Sequence, residues 1–224
     1  MNNLNIKYGF LAIWLSLFLF SCSGNNFLSS SYSEAFEAAT NQFFKGESKI
    51  DIQTINDIPY ASSIISFEGS PEALIILESK KKDMYTWVSS DKKVFMVKDG
   101  RIVATIGLPN NLYKIQRPNI DFGEIIASEN ELEYFSYYSY KNPDLNDLKV
   151  KVTTKLIGEE RIKILDELKV ALLIEEKLYS KKINWSGINR FWVDPVSLFV
   201  WKSEQSLSPK LPLLHIETAK KPDV

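Results

Sequence analysis

The sequence predicts a mainly β body, an antiparallel sheet curved into a sandwich or a partly open barrel, with one helix ahead of it. Three observations carry this expectation. Beyond Lys49 the apolar residues recur with a period of two rather than 3.6. The runs are short, rich in Ile, Val, Phe, Trp and Tyr, and punctuated by Gly, Pro, Asn and Asp. At 224 residues the chain can bury one sizeable core, and no Pro/Gly-rich break divides it.

The first 21 residues read as a leader. Lys7 precedes an apolar run from Phe10 to Phe20, and Leu19-Phe20-Ser21 leads into Cys22, the only cysteine of the chain. This is the anatomy of a secretory signal. The run is too short for a comfortable membrane span, which needs about 20 apolar residues. With cysteine at the first mature position, the segment resembles a bacterial lipoprotein signal, and Cys22 is the predicted lipid attachment site. Acyl chains contribute about 0.8 kcal/mol per buried methylene, so two or more hold a protein firmly at a membrane. By the same resemblance, aspartate after Cys22 would retain the protein at the inner membrane. Ser23 stands there instead, which points to the outer membrane at its periplasmic face. Residues 22–31, small and polar after the cysteine, read as a flexible tether.

The remaining 32–224 is expected to form a single domain. Ser31 and Glu34 fit a capping box, and Tyr32, Ala35, Phe36, Ala39 and Phe43 follow at helical spacing up to Gly46. Strands are expected over Ala61 to Glu68, Leu74 to Glu78, Tyr85 to Ser89, Val94 to Lys98 and Arg101 to Leu108. Asp99-Gly100 marks a type I′ hairpin turn. Pro109-Asn110-Asn111 ends this meander, and a looser stretch runs to Asn130. Glu131 to Tyr140 and Val150 to Leu156 are further strands. Arg161 to Tyr179 has helix-forming composition, yet seven of the nine even positions from 162 to 178 are apolar. Two strands with a turn near Asp166-Glu167 are therefore expected. Ile188 to Val193, Leu198 to Ser206 and Leu213 to Thr218 complete the set.

With 27 basic and 28 acidic side chains, the chain lacks the basic surface that nucleic acid requires. The one histidine, His215, and the absence of any thiol besides Cys22 argue against thiol–imidazole catalysis and the usual zinc sites. No Gly-x-Ser-x-Gly elbow and no phosphate-cradling glycine loop occurs. No metal or cofactor is implied. Paired carboxylates could flank a glycosidic bond. The candidates are Glu131 with Glu133, Glu159 with Glu160, Glu175 with Glu176, and Asp194, and neighbours in an extended strand point to opposite faces.

Three stretches carry a resemblance. They are Ile58-Pro59-Tyr60-Ala61, Trp87 followed by Asp99 to Leu108, and the run from Asn184 to Pro212 that contains Asn189-Arg190-Phe191-Trp192-Val193-Asp194 and Trp201-Lys202-Ser203-Glu204-Gln205. Together with the lipoprotein signal, their order is similar to that of the YjbF/GfcB family, small lipoproteins associated with the group-four capsule and related exopolysaccharides. The resemblance implies an exported, barrel-like protein in a polysaccharide pathway. It supplies no catalytic residues.

Three functions follow as expectations. The first is a non-catalytic, lipid-anchored envelope protein that binds glycan or capsule-export proteins. The second is a carrier of a lipid or polyprenyl-linked ligand in a barrel cavity, and the third is a polysaccharide-modifying enzyme using paired carboxylates. Aromatic faces beside polar groups suit sugars, so Trp185, Asn189, Trp192, Trp201, Gln205 and Arg101 are the candidate ligand-binding residues. Core packing is the competing role for each tryptophan.

Overall fold

The computed structural model of the protein describes Ile50 and residues 52–222. The leader, Cys22, the tether and the helix expected from Ser31 lie outside the described residues. Two short helices, α1 (Ile52–Asp57) and α2 (Phe122–Ala127), accompany the strands. The first half contributes β1 (Ser62–Phe67), β2 (Ala73–Lys81), β3 (Met84–Ser89), β4 (Val94–Lys98), β5 (Arg101–Ile106) and β6 (Asn111–Gln116). The second half contributes β7 (Leu132–Lys141), β8 (Leu145–Ile164), β9 (Glu167–Ser180), β10 (Trp185–Val193), β11 (Val200–Gln205) and β12 (Leu214–Lys220).

All twelve strands join one antiparallel sheet in the order β5-β4-β3-β2-β1-β12-β11-β10-β9-β8-β7-β6, which curls into a nearly closed barrel. The two meanders meet where β1 pairs with β12, Ile65 opposite Ile216. Asp99 and Gly100 both have positive φ (49° and 70°), as the Asp-Gly turn requires. Inward side chains alternate along each strand: Ile65 and Phe67, Ile75, Trp87, Phe95, then Tyr134 opposite Val152, Tyr138 opposite Leu148 and Tyr140 opposite Leu145. Alternation with one dry face is what fixes the register.

Two differences from the sequence reading matter for the site. The stretch from Asn111 to Asn130 holds β6 and α2. Helix α2 has only six residues, too few to show a period, and Asp121 caps it by accepting from the Glu124 amide at 2.8 Å. Its Phe122 and Ile125 cover one end of the interior against Ile174, Phe191 and Val193.

The second difference is in the β8–β9 hairpin. Even positions of both strands face the interior only up to the bulge at Leu156/Gly158. Beyond it, Ile162 and Ile164 share a face with Ala171 and Leu173, which packs on Trp192 outside the barrel wall. Leu168, on the opposite face, is 77% exposed. The bulge and the turn each shift the phase by one residue, so a single parity count spans two surfaces.

A seam, a polar interior and an apolar cavity

β5 and β6 are consecutive in the chain, joined by a tight loop, yet they occupy the two edges of the sheet. Side chains rather than a ladder close this seam at the loop end. Leu112 N–H donates to Thr105 Oγ1 at 3.0 Å, and Leu108 N–H donates to Asn111 Oδ1 at 2.9 Å. The seam is open at the other end, where β5 begins with Arg101 and β6 runs out into Arg117.

Arg101, Asn189 and Gln205 of the predicted set come together in the interior near Glu176, a carboxylate that the sequence presents only as half of an acidic pair. Arg101 Nε donates to Glu176 Oε1 at 2.8 Å, and its Nη2 lies 2.7 Å from the same oxygen. Asn189 Nδ2 donates to Glu176 Oε2 at 3.3 Å, and the Tyr134 hydroxyl donates to Oε1 at 3.4 Å. Gln205 accepts from Ile102 N–H at 2.9 Å and donates to Gly100 O at 3.1 Å, fastening the start of β5. The Arg101 guanidinium carbon stands 3.9 Å above the Phe122 ring. Burial would raise the Glu176 pKa, but the charges of Arg101 and Arg117 and the hydrogen bonds from Arg101 and Asn189 outweigh it and hold it below the usual carboxylate value. Burial, reinforced by the Glu176 charge, pushes Tyr134 up to about 12.

Of the three predicted tryptophans, Trp192 and Trp201 share one apolar cluster with Ile162, Ile164, Ala171 and Leu173, while Trp185 packs elsewhere, against the barrel interior. Trp185 packs edge-on against Tyr138, with centroids 6.4 Å apart. Trp192 is buried on the outer face, where its indole donates to Glu160 Oε2 at 2.7 Å and Lys202 lies 4.7 Å above its ring. Trp201 donates to Asp194 Oδ2 at 3.3 Å and meets Phe199 edge-on at 4.9 Å. It stands on the rim of a cavity of about 470 Å³ that opens at one end of the barrel. Ile75, Tyr85, Trp87, Val97 and Ile216 supply apolar wall, while Asp83, Asp99 and Lys221 stand among the polar lining.

Most of the candidate carboxylates are engaged, Glu160 by the Trp192 indole and others by cations or backbone. Glu131 and Glu133 form exposed ion pairs with Lys155 and Lys151, each 2.7 Å, and hydrogen bonds from those lysines lower both pKa values. Glu175 pairs with Arg190 at 3.3 Å. Asp194 caps its own turn: burial raises its pKa, but bonds from Ser197, Trp201 and Val196 outweigh that and lower it. His215 Nδ1 lies 3.6 Å from Glu204 Oε1, in a cross-strand row with Arg190. Among the described residues, no group of three or more His, Cys, Asp or Glu is placed to hold a metal, and no helix is long and apolar enough to cross a membrane.

A family profile described as "Group 4 capsule polysaccharide lipoprotein gfcB, YjbF" matches residues 33–218. The chain belongs to the YjbF/GfcB family. The lipoprotein GfcB of Escherichia coli K12 is 20% identical over 195 residues, 86% of this chain and 90% of GfcB. The lipoprotein YjbF of the same organism is 21% identical over 144 residues; the match spans 62% of this chain and 66% of YjbF, just under two thirds of its length. The crystal structure of the hypothetical lipoprotein YmcC from Escherichia coli K12 superposes with a TM-score of 0.68 at 18% identity. It covers 84% of this chain and 96% of YmcC, and the likeness is one of fold. The YjbF/GfcB chain described here is thus a capsule polysaccharide lipoprotein by family.

Proposed function

We propose that this protein is a non-catalytic lipoprotein, held by lipid on Cys22 at the periplasmic face of the outer membrane. There its barrel serves capsule or exopolysaccharide assembly or export by binding glycan or secretion proteins. The observation that carries the reading is the family match over 33–218 on a strand-built domain. Supporting it, Glu176, the one buried carboxylate paired with a guanidinium among the described residues, has its pKa lowered by Arg101 and its neighbours rather than raised as a general acid's would be. The lipobox-like segment ahead of Cys22 supports the anchor.

Deletion of the gene is expected to reduce surface polysaccharide, and the wild-type gene to restore it. A Cys22→Ser protein should lose its acyl mass, move to the soluble periplasmic fraction and fail to restore the polysaccharide. Unchanged surface polysaccharide in the deletion strain would overturn the reading.

The 470 Å³ cavity favours a second function, carriage of a lipid-linked ligand, because its size and apolar wall fit ligand sites of about 300–1,000 Å³. Native mass spectrometry of protein extracted from membranes decides between them. Co-purified lipid lost on Leu198→Trp, which narrows the mouth, supports carriage.

A further inference from the structure

The open end of the β5–β6 seam widens on the outer side into a groove of about 610 Å³. By strand alternation its floor is the outward face of β3 and β4, where Met84 and Met96 stand opposite the inward Tyr85, Trp87, Phe95 and Val97. Its far wall is β6 and the turn after it. Tyr113 there is 61% exposed, and Lys114, Gln116, Arg117 and Asn119 follow along the same wall. An exposed aromatic ring beside amides and cations is a surface that matches a sugar chain, which offers C–H faces and hydroxyls together.

The charge of the groove is one-sided. Its lining carries Lys98, Lys114 and Arg117 against the single carboxylate of Asp99, and Lys98 is already met by Asp83 at 2.6 Å. A second, independent feature lies beneath it. Arg117 also faces a small internal void, shared with Arg101 and Glu176. Two guanidinium groups there answer to one carboxylate, so positive charge is in excess at the inner end of the groove. Arg117 is fixed in that place by donating to Ile120 O at 2.6 Å and Pro118 O at 3.4 Å. Burial, and then the charge of Arg101, disfavours its protonated form. An incoming anion supplies the opposite charge that offsets the repulsion between the two guanidinium groups.

We propose that the β5–β6 groove binds a short acidic segment of glycan, with Lys114 and Arg117 meeting its carboxylates, Tyr113 stacking on a ring, and Gln116 and Asn119 bonding its hydroxyls. This rests on the polysaccharide function proposed above and names the ligand class and its place. An extended peptide pairing with the bare strand edges is the competing occupant. The groove favours sugar because its wall is aromatic, amide and cationic rather than a row of apolar pockets for alternate side chains.

The test uses the full lipidated chain in detergent, titrated calorimetrically with α-1,4-linked trigalacturonate and with neutral maltotriose. Trigalacturonate is expected to bind, to weaken with added salt, and to bind about tenfold more weakly to Lys114→Glu and to Tyr113→Ala. Both positions are exposed, so unchanged thermal unfolding will show that the variants fold. Leu198→Trp, in the separate cavity, should bind as wild type. Absence of trigalacturonate binding, equal binding of maltotriose, or indifference to both groove substitutions would overturn the assignment. So would protection of the Val103 and Ala104 amides by an alternating Thr-Val peptide while trigalacturonate stays unbound. If the groove fails while gene deletion still removes surface polysaccharide, the envelope function stands and the groove assignment alone falls.

Discussion

Glu176 occupies a position that alternation along β9 reserves for an apolar side chain, between Ile174 and Leu178. That misfit was visible in the sequence, because Glu176 and Asp166 are the two breaks in the apolar even series from 162 to 178. Its partner was not visible: Arg101 is 75 residues away, and only closure of the sheet brings them together. Removing one member of such a pair leaves the other charge buried and uncompensated. Glu176→Ala should therefore cost about 3–5 kcal/mol in denaturant unfolding, and adding Arg101→Met should recover part of it. The sign of the pH effect follows from the lowered pKa. The stability due to Glu176 is fully present above its ordinary value of 4.5 and is lost as pH falls through the lower folded value. Glu176→Gln should flatten that acid limb of the stability profile, as read from urea midpoints at stepped pH.

At the scale of elements, the outer half of the β8–β9 hairpin behaves as a flap on the barrel wall. Ile162, Ile164, Ala171 and Leu173 enclose Trp192, and the turn is tied down by Leu165 N–H donating to Glu217 Oε1 at 3.1 Å. Trp201 packs on the same cluster and Lys169 lies 4.2 Å above its ring, but this cluster is small beside the barrel interior, so local opening should be cheaper than global unfolding. Replacing Glu217 by Ala together with Trp192 by Phe, which deletes the bond to Glu160, is expected to speed amide exchange over residues 161–170. Exchange in the barrel interior strands should stay as it was. Equal acceleration throughout would show that the flap and barrel open as one unit. Sequence pattern identified both strands of this hairpin and its turn. It missed the face each residue takes, because bulges are invisible to a count by parity. It also missed α1 and α2, whose six residues each are shorter than the window in which a helical period is defined.

For the whole molecule, the decisive feature is that the sheet stops one ladder short of closure. Bare edges are a hazard for chain-to-chain pairing, and here the loop end of the seam is covered by the Thr105 and Asn111 side chains. Thr105→Val removes the acceptor for Leu112 N–H while keeping the shape. It should cost about 1–3 kcal/mol and raise amide exchange in β5 and β6 relative to β9 and β10. No change in those edge amides would show that the seam is held by packing alone. Of the candidate ligand-binding residues, the curled sheet gathers Arg101, Asn189 and Gln205 inside, puts Trp192 and Trp201 in one cluster on the β8–β9 flap, and leaves Trp185 apart from both. The sequence marks each as polar or aromatic in an apolar run, and distance in the fold sorts them.

Local chemistry, written residue by residue, determined that this chain makes short antiparallel strands, where they turn, and which family its motifs resemble. Period and turn residues act over a few positions, so one sequence suffices to read them. Which strands became edges, where the groove and cavity opened, and which guanidinium met Glu176 were decided only by the tertiary structure. Those outcomes depend on how twist and bulges add up around twelve strands, a sum that no local window contains.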